Sequence, residues 1–255
     1  MSYKTSSAGH GGPEGTRAGQ VGLITSDPGP TLLALLAQTD VDFLILDAEQ
    51  TGLSVRDCAA VVQGLAGSRV QVGVRVPNLA PETLVAFANT GVSEMVLPQV
   101  RSVAQLQQAY EATRYAPEGR RPRQVSPASA FGTDFSCPPR LTVLFETVEA
   151  LDKVQEFAAL DIFDGGWVGP TDLQDELRRH GRTAPDALND AVYKLVSALT
   201  QAGHSVGLPA PGFSAVPDVL AGGADRCAIY WERELAAMLT EFVARRPAVL
   251  TTSSI

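Results

Sequence analysis

Three times along this chain a mostly apolar run stops at an ionisable side chain. Phe43-Leu44-Ile45-Leu46 ends at Asp47, with Glu49 and Gln50 just beyond; Val72-Gly73-Val74 ends at Arg75; and Leu141-Thr142-Val143-Leu144-Phe145 ends at Glu146. A run of four or five residues with no polar alternation fits a parallel strand covered on both faces. In parallel α/β proteins the chemistry gathers at the carboxyl ends of the strands. Strands that end in Asp/Glu, in Arg and in Glu therefore predict one polar mouth on an apolar barrel.

The same unit repeats through the chain. Strands are expected at 21–25, 43–47, 72–76, 95–100, 141–146, 162–168, 205–208 and 226–230. Between them lie helical patterns. One opens at Thr31 with Leu32, Leu33, Leu35 and Leu36 inward. The next is capped by Ser54 and runs to about 66. Others span 81–91, 102–115, 148–159, 172–180, 186–202, 213–220 and 232–245. Eight alternating units with short connections favour a single-domain (β/α)8 TIM barrel of the α/β class over an open doubly wound sheet. At 255 residues the chain has the usual length for one. No G-x-G-x-x-G follows an early strand, which argues against a dinucleotide fold. The barrel is expected over 20–248, with a Gly/Ser/Thr-rich mobile arm at 1–19 and a tail at 249–255. The long irregular stretch 116–140 carries five prolines and a basic cluster, Arg120, Arg121 and Arg123, and suggests a functional loop.

Composition narrows the partners. A net charge of -8 argues against nucleic acid. No apolar run approaches the ~20 residues of a membrane helix, so no membrane partner is expected. The three cysteines, Cys58, Cys137 and Cys227, have neither disulfide nor zinc spacing, and no signal-peptide core opens the chain; a cytoplasmic setting is expected. A Schiff-base aldolase needs a barrel lysine. The three lysines lie in the arm (Lys4) and at outer mid-helix positions (Lys153, Lys194).

Glu146 and Asp172 follow consecutive strands. Two converging carboxylates repel unless a cation lies between them, and such oxygens suit Mg2+, Mn2+ or another divalent ion completed by water and substrate. Asp172 is also well placed to be a helix N-cap. Arg75 offers a fork of donors for an oxyanion or a salt bridge to Asp47 or Glu49, and the two roles are compatible because a carboxylate can hold the guanidinium in position. Asp47 and Glu49 are proton relays or plain rim acceptors. Gly165, Gly166 and Gly169 allow close backbone approach, and the N–H groups of Thr171 and Asp172 open a helix where a small carboxylate binds.

Taken in order, these stretches resemble the HpcH/HpaI aldolase family of metal-dependent pyruvate aldolases over residues 20–245. Leu44-Ile45-Leu46-Asp47-Ala48-Glu49-Gln50 is similar to its Asp-x-Glu-His strand end, and Arg75-Val76-Pro77 to its Arg strand end. Val96-Leu97-Pro98-Gln99-Val100 resembles the strand that follows. Arg114-Tyr115-Ala116-Pro117-Glu118-Gly119-Arg120-Arg121 is similar to its Arg-Tyr-Pro-Pro-x-Gly-x-Arg loop. Phe145-Glu146-Thr147 resembles its metal strand, and Gly169-Pro170-Thr171-Asp172-Leu173 its Gly-Pro-x-Asp-Leu signature. The resemblance implies Glu146 and Asp172 as ligands of Mg2+, Mn2+ or Co2+, and Arg75 on the keto oxygen. It implies Asp47 in a supporting role and the Thr171 and Asp172 amides on the carboxylate of a pyruvate-like ligand. It also implies a homo-oligomer, hexamer or trimer, acting on a small 2-oxo acid.

The chain departs from the pattern where the family's histidine falls at Gln50 and a family glutamine at Leu144. Glutamine does not exchange protons near neutral pH. Asp47 or a metal-bound water must then replace the histidine as proton carrier, with Glu49 and Gln50 as further candidate catalytic residues beside it. Leu144 and Trp167, with Tyr230 and Trp231 nearby, predict a more apolar pocket. The expected activity is a divalent-metal-dependent carbon–carbon lyase of the aldolase type, working through the enolate of a 2-oxo acid. The alternatives are a biosynthetic relative using the same core, or a barrel that binds metal and anion without catalysis.

Overall fold

The computed structural model describes residues 19–246. The expected arm, Gly19 apart, and the expected tail lie outside them. Eight parallel strands close on themselves in chain order: β1 (Gln20–Thr25), β2 (Phe43–Asp47), β3 (Gln71–Arg75), β4 (Glu94–Leu97), β5 (Arg140–Phe145), β6 (Gly165–Val168), β7 (Ser205–Pro209) and β8 (Arg226–Tyr230). β1 pairs with both β2 and β8, and Gly22 meets Phe43 on one side and Ala228 on the other. The chain is thus a (β/α)8 barrel.

Helices cover the outside: α1 (Pro30–Leu36), α2 (Val55–Gly64), α3 (Pro81–Ala88), α4 (Val103–Thr113), α5 (Val148–Asp152), α6 (Val154–Ala158), α7 (Pro170–Arg179), α8 (Ala187–Gln201), α9 (Val216–Ala221) and α10 (Trp231–Ala244). Ser54 caps α2 in a reciprocal capping box with Asp57, and Ser102 caps α4. Some boundaries differ from the sequence pattern. The helix expected over 148–159 breaks at Lys153, whose φ of -99° and ψ of 15° leave the helical region, so that lysine is a junction residue. The strand expected from Ile162 starts at Gly165, because Asp164 turns to accept the Leu141 N–H. A short 3-10 turn, Phe213–Ala215, precedes α9. Leu35, expected inward, is half exposed.

Strand parity sorts the side chains. On β2, Leu44 and Leu46 face the helices while Phe43 and Ile45 face the barrel axis. The interior holds Ile24, Ile45, Val96, Leu144, Trp167 and Ala228, and glycines make room for its rings: a Cβ on Gly207 would lie 2.5 Å from Trp167. Beneath that layer lies a buried ion pair. Arg226 Nη1 donates to Glu94 Oε1 at 2.7 Å, and its guanidinium is flanked by the rings of Phe43 (4.4 Å) and Trp167 (5.0 Å). Thr142 Oγ1 and Trp167 Nε1 donate to the same Glu94 oxygen. Burial opposes the charge on Glu94, but Arg226 overrides it and holds the carboxyl below its usual range. Removing one member of such a pair strands the other. Glu94→Gln is therefore expected to cost about 3 kcal/mol in urea unfolding. The double variant Glu94→Gln/Arg226→Met should recover most of it, and a double variant no better than the single would refute this account.

Candidate active site

The same parity that turns Phe43 and Ile45 inward turns Asp47 inward one step higher. Register places Asp47 directly beside Arg75 on β3. Arg75 Nε donates to Asp47 Oδ1 at 2.9 Å and Nη2 to Oδ2 at 2.6 Å, a two-pronged bond. Arg75 Nη1 lies 3.2 Å from Glu49 Oε2. Burial disfavours the guanidinium charge, yet the bonds to Asp47 and the charge of Glu49 outweigh it and strengthen its hold on the proton. Asp47 Oδ1 also accepts the Glu49 and Gln50 N–H groups. Both Asp47 oxygens are thus occupied, and Asp47 orients Arg75. The Glu49 carboxyl is pushed up by burial, with Arg75 opposing and Asp47 and Asp172 adding. Gln50 is exposed, and its side chain makes no hydrogen bond among the described residues.

Glu146 directly follows β5, on the inward side. Its Oε1 accepts two bonds from Gln99, one from the backbone N–H at 2.7 Å and one from Nε2 at 2.9 Å. Gln99 adopts a left-handed backbone, φ 53°, so that both donors reach one oxygen. The other oxygen, Oε2, is buried and has no hydrogen-bond partner. A Cβ at Gly169 would stand 3.3 Å from it, so the glycine leaves that approach open. Burial pushes the Glu146 carboxyl up to about 7; the Gln99 N–H opposes this, and Glu49 and Asp172 add to it.

Asp172 belongs to the first turn of α7, three positions beyond the N-cap Gly169, so it is not itself the cap. The helix starts here because Pro170 presets its first turn. The first-turn N–H groups of Thr171 and Asp172 have no intrahelical acceptor.

A cavity of about 240 Å³ opens at this end of the barrel, small enough for a metabolite of a few carbons. It brings together Arg75, Leu144, Trp167, Gly169, Pro170, Thr171 and Asp172, all expected from the sequence. Tyr230, expected to add aromatic bulk near the pocket, lines it too, and so does Arg233, which carried no expected role. Tyr230 shares the inward parity of Arg226 and Ala228. Its phenol is pushed up by burial, with Arg75, Asp47, Asp172 and Arg233 all acting on it. Among the described residues, no group of three or more His, Cys, Asp or Glu is arranged to hold a metal ion. A two-carboxylate site takes its remaining oxygens from ligand and water.

The model of the HpcH/HpaI aldolase/citrate lyase family matches residues 20–224. The chain belongs to that family. It is 29% identical over 217 residues to the 5-keto-4-deoxy-D-glucarate aldolase of Shigella dysenteriae serotype 1, covering 82% of this chain and 85% of that one. An HpcH/HpaI family protein from Burkholderia cenocepacia has the same fold, with TM-score 0.81 and 24% identity over 89% of this chain and 94% of its own. The citrate lyase beta subunit of M. tuberculosis, complexed with oxaloacetate and magnesium, shares the fold at TM-score 0.57 and 21% identity, covering 90% and 98%.

As an HpcH/HpaI protein this chain is a carbon–carbon lyase of a divalent-metal-dependent family. The site fits such a cation. A buried carboxylate oxygen without a partner, a second carboxylate acting on it and a glycine that leaves the approach clear form a donor set for a hard dication.

Proposed function

We propose that the enzyme makes or breaks the bond next to the enolate of a 2-oxo acid by reversible aldol chemistry. In this reading Glu146 and Asp172 hold Mg2+, Mn2+ or Co2+. When bound, the cation supplies Lewis-acid stabilisation of the 2-oxo group. Arg75, fixed by Asp47 and Glu49, donates to the same oxygen as it gains negative charge. The amides of Thr171 and Asp172 bind the carboxylate. Leu144, Trp167 and the interior aliphatics exclude water. Gln50 has no proton-transfer role, since glutamine does not ionise and its side chain is exposed. The observation that carries the reading is the unpartnered Glu146 oxygen beside Asp172.

The test is proton NMR of pyruvate in D2O. The methyl signal is expected to decay with enzyme and Mn2+ or Mg2+, and to persist once EDTA is added. No decay in a sample that binds Mn2+ by calorimetry would overturn the reading.

The relatives named as aldolases of a keto-deoxy-glucarate support a hydroxylated 2-oxo diacid as substrate. A homo-oligomer, hexamer or trimer, fits α10, which has no buried residue and exposes Met238, Leu239, Phe242 and Val243. A cytoplasmic setting fits three free cysteines. No described helix is long and apolar enough to cross a membrane.

A further inference from the structure

The cavity has a second guanidinium. Arg233 lines it from the first turn of α10. Its Nη2 donates to the Ala210 carbonyl at 2.9 Å, and its Cζ lies 5.5 Å from the centre of the Tyr230 ring. Arg233 is an exposed residue at the cavity rim; both contacts orient its head group, and neither cancels its charge. Arg75, in the same cavity, is neutralised by two carboxylates; Arg233 forms no ion pair among the described residues. The acids next to it in sequence are engaged elsewhere. Glu232 accepts bonds from Thr25, Ser26 and Asp27, and Glu234 accepts from the Phe213 N–H. Around the barrel, strand order puts Arg233, after β8, between the Thr171–Asp172 turn after β6 and Arg75 on β3.

We infer that Arg233 is the specificity-determining clamp for the second carboxylate, at the far end of the 2-oxo diacid proposed above. The inference rests on the reading of the site given above. A fixed guanidinium with unused N–H donors matches a carboxylate in two-pronged geometry. The loops after strands 7 and 8 are also where barrels of this type commonly bind anionic groups. The aliphatic stem of Arg233 and the Tyr230 ring would pack along the carbons between the two carboxylates.

The experiment is calorimetry on the Mg2+-loaded protein with two probes of equal chain length, 2-oxoglutarate and 2-oxopentanoate, which differ in the distal carboxylate. The wild type should bind 2-oxoglutarate about tenfold more tightly or better, as a charge-assisted bond allows. Arg233→Met should shrink that preference to about twofold, and Arg233→Lys should give an intermediate value because a point charge replaces the fork. Thermal unfolding checks that both variants fold. An unchanged preference in Arg233→Met, an equal loss for both probes, or a wild type that binds neither would overturn the inference. Pyruvate methyl exchange by the wild type reports separately on the enolate reading. Exchange with no probe preference sinks the clamp alone, and a preference abolished in Arg233→Met without exchange sinks the enolate reading alone.

Discussion

Arg75→Met is expected to lower kcat/KM for carbon–carbon cleavage by about 10²–10³-fold, the usual cost of removing one preorganised donor from a developing oxyanion. Methionine keeps much of the apolar stem, so the loss isolates the guanidinium. Its second effect is on the two acids that held it. Asp47 and Glu49 are left near each other with no countercharge, and Glu49 is already pushed up by burial. The variant should therefore be less stable than wild type at pH 8 and regain stability as the pH falls and Glu49 protonates. Arg75→Lys should recover little activity, because one ammonium cannot satisfy both Asp47 oxygens and still approach Glu49. Steady-state kinetics and melting curves at pH 6 and 8 measure both effects. Activity within tenfold of wild type in Arg75→Met would remove Arg75 from the chemistry.

Glu146→Gln should separate cation binding from folding. Loss of a charged ligand is expected to weaken Mn2+ binding by at least about 100-fold, since even partners outside the coordination sphere cost 10–100-fold. Stability should move the other way in the cation-free protein. The Glu146 carboxyl rises from an ordinary 4.5 to about 7 because it is buried. Its folded-state pKa is above its unfolded value, so its contribution is intact below about pH 4.5 and is lost as pH rises through 7. Over that window wild type without cation should lose up to about 3 kcal/mol from this group. Glutamine does not ionise and should not show the loss. With EDTA present, the variant's melting temperature at pH 8 should exceed that of wild type; with Mn2+ the order should reverse. Superimposable pH profiles for the two proteins would refute this account of Glu146.

Much of the barrel could be read from strand runs that carry their own parity. Phe43-Leu44-Ile45-Leu46 marks a strand buried on both faces, and counting by twos from Phe43 already aims Asp47 into the mouth. The same count from Arg226 aims Tyr230 there, in keeping with the aromatic bulk expected near the pocket. The break at Lys153 was hidden because 148–159 keeps helical periodicity across it. Gln99 was hidden for another reason: its contact with Glu146 depends on a left-handed backbone at a non-glycine residue, which no residue type announces. Arg233 is a third kind of case. Its sequence neighbours suggest an ordinary charged helix start, and only the approach of the Ala210 carbonyl and the Tyr230 ring fixes its head group. For Arg75 the sequence allowed clamp and salt bridge together; the geometry supplies the salt bridge, which would hold the guanidinium in place for the proposed clamp.

The set of charges at the mouth also bears on the order in which ligands enter. Among the described residues, Asp47, Glu49, Glu146 and Asp172 face two guanidiniums, those of Arg75 and Arg233. With all four acids ionised, the empty mouth has two negative charges in excess. An incoming carboxylate is repelled until that excess is cancelled, and a single divalent ion cancels it. On the proposed reading the cation would therefore be a condition of entry as well as a reagent. Substrate association should be compulsory second, and the anionic product should leave before the cation is free to exchange.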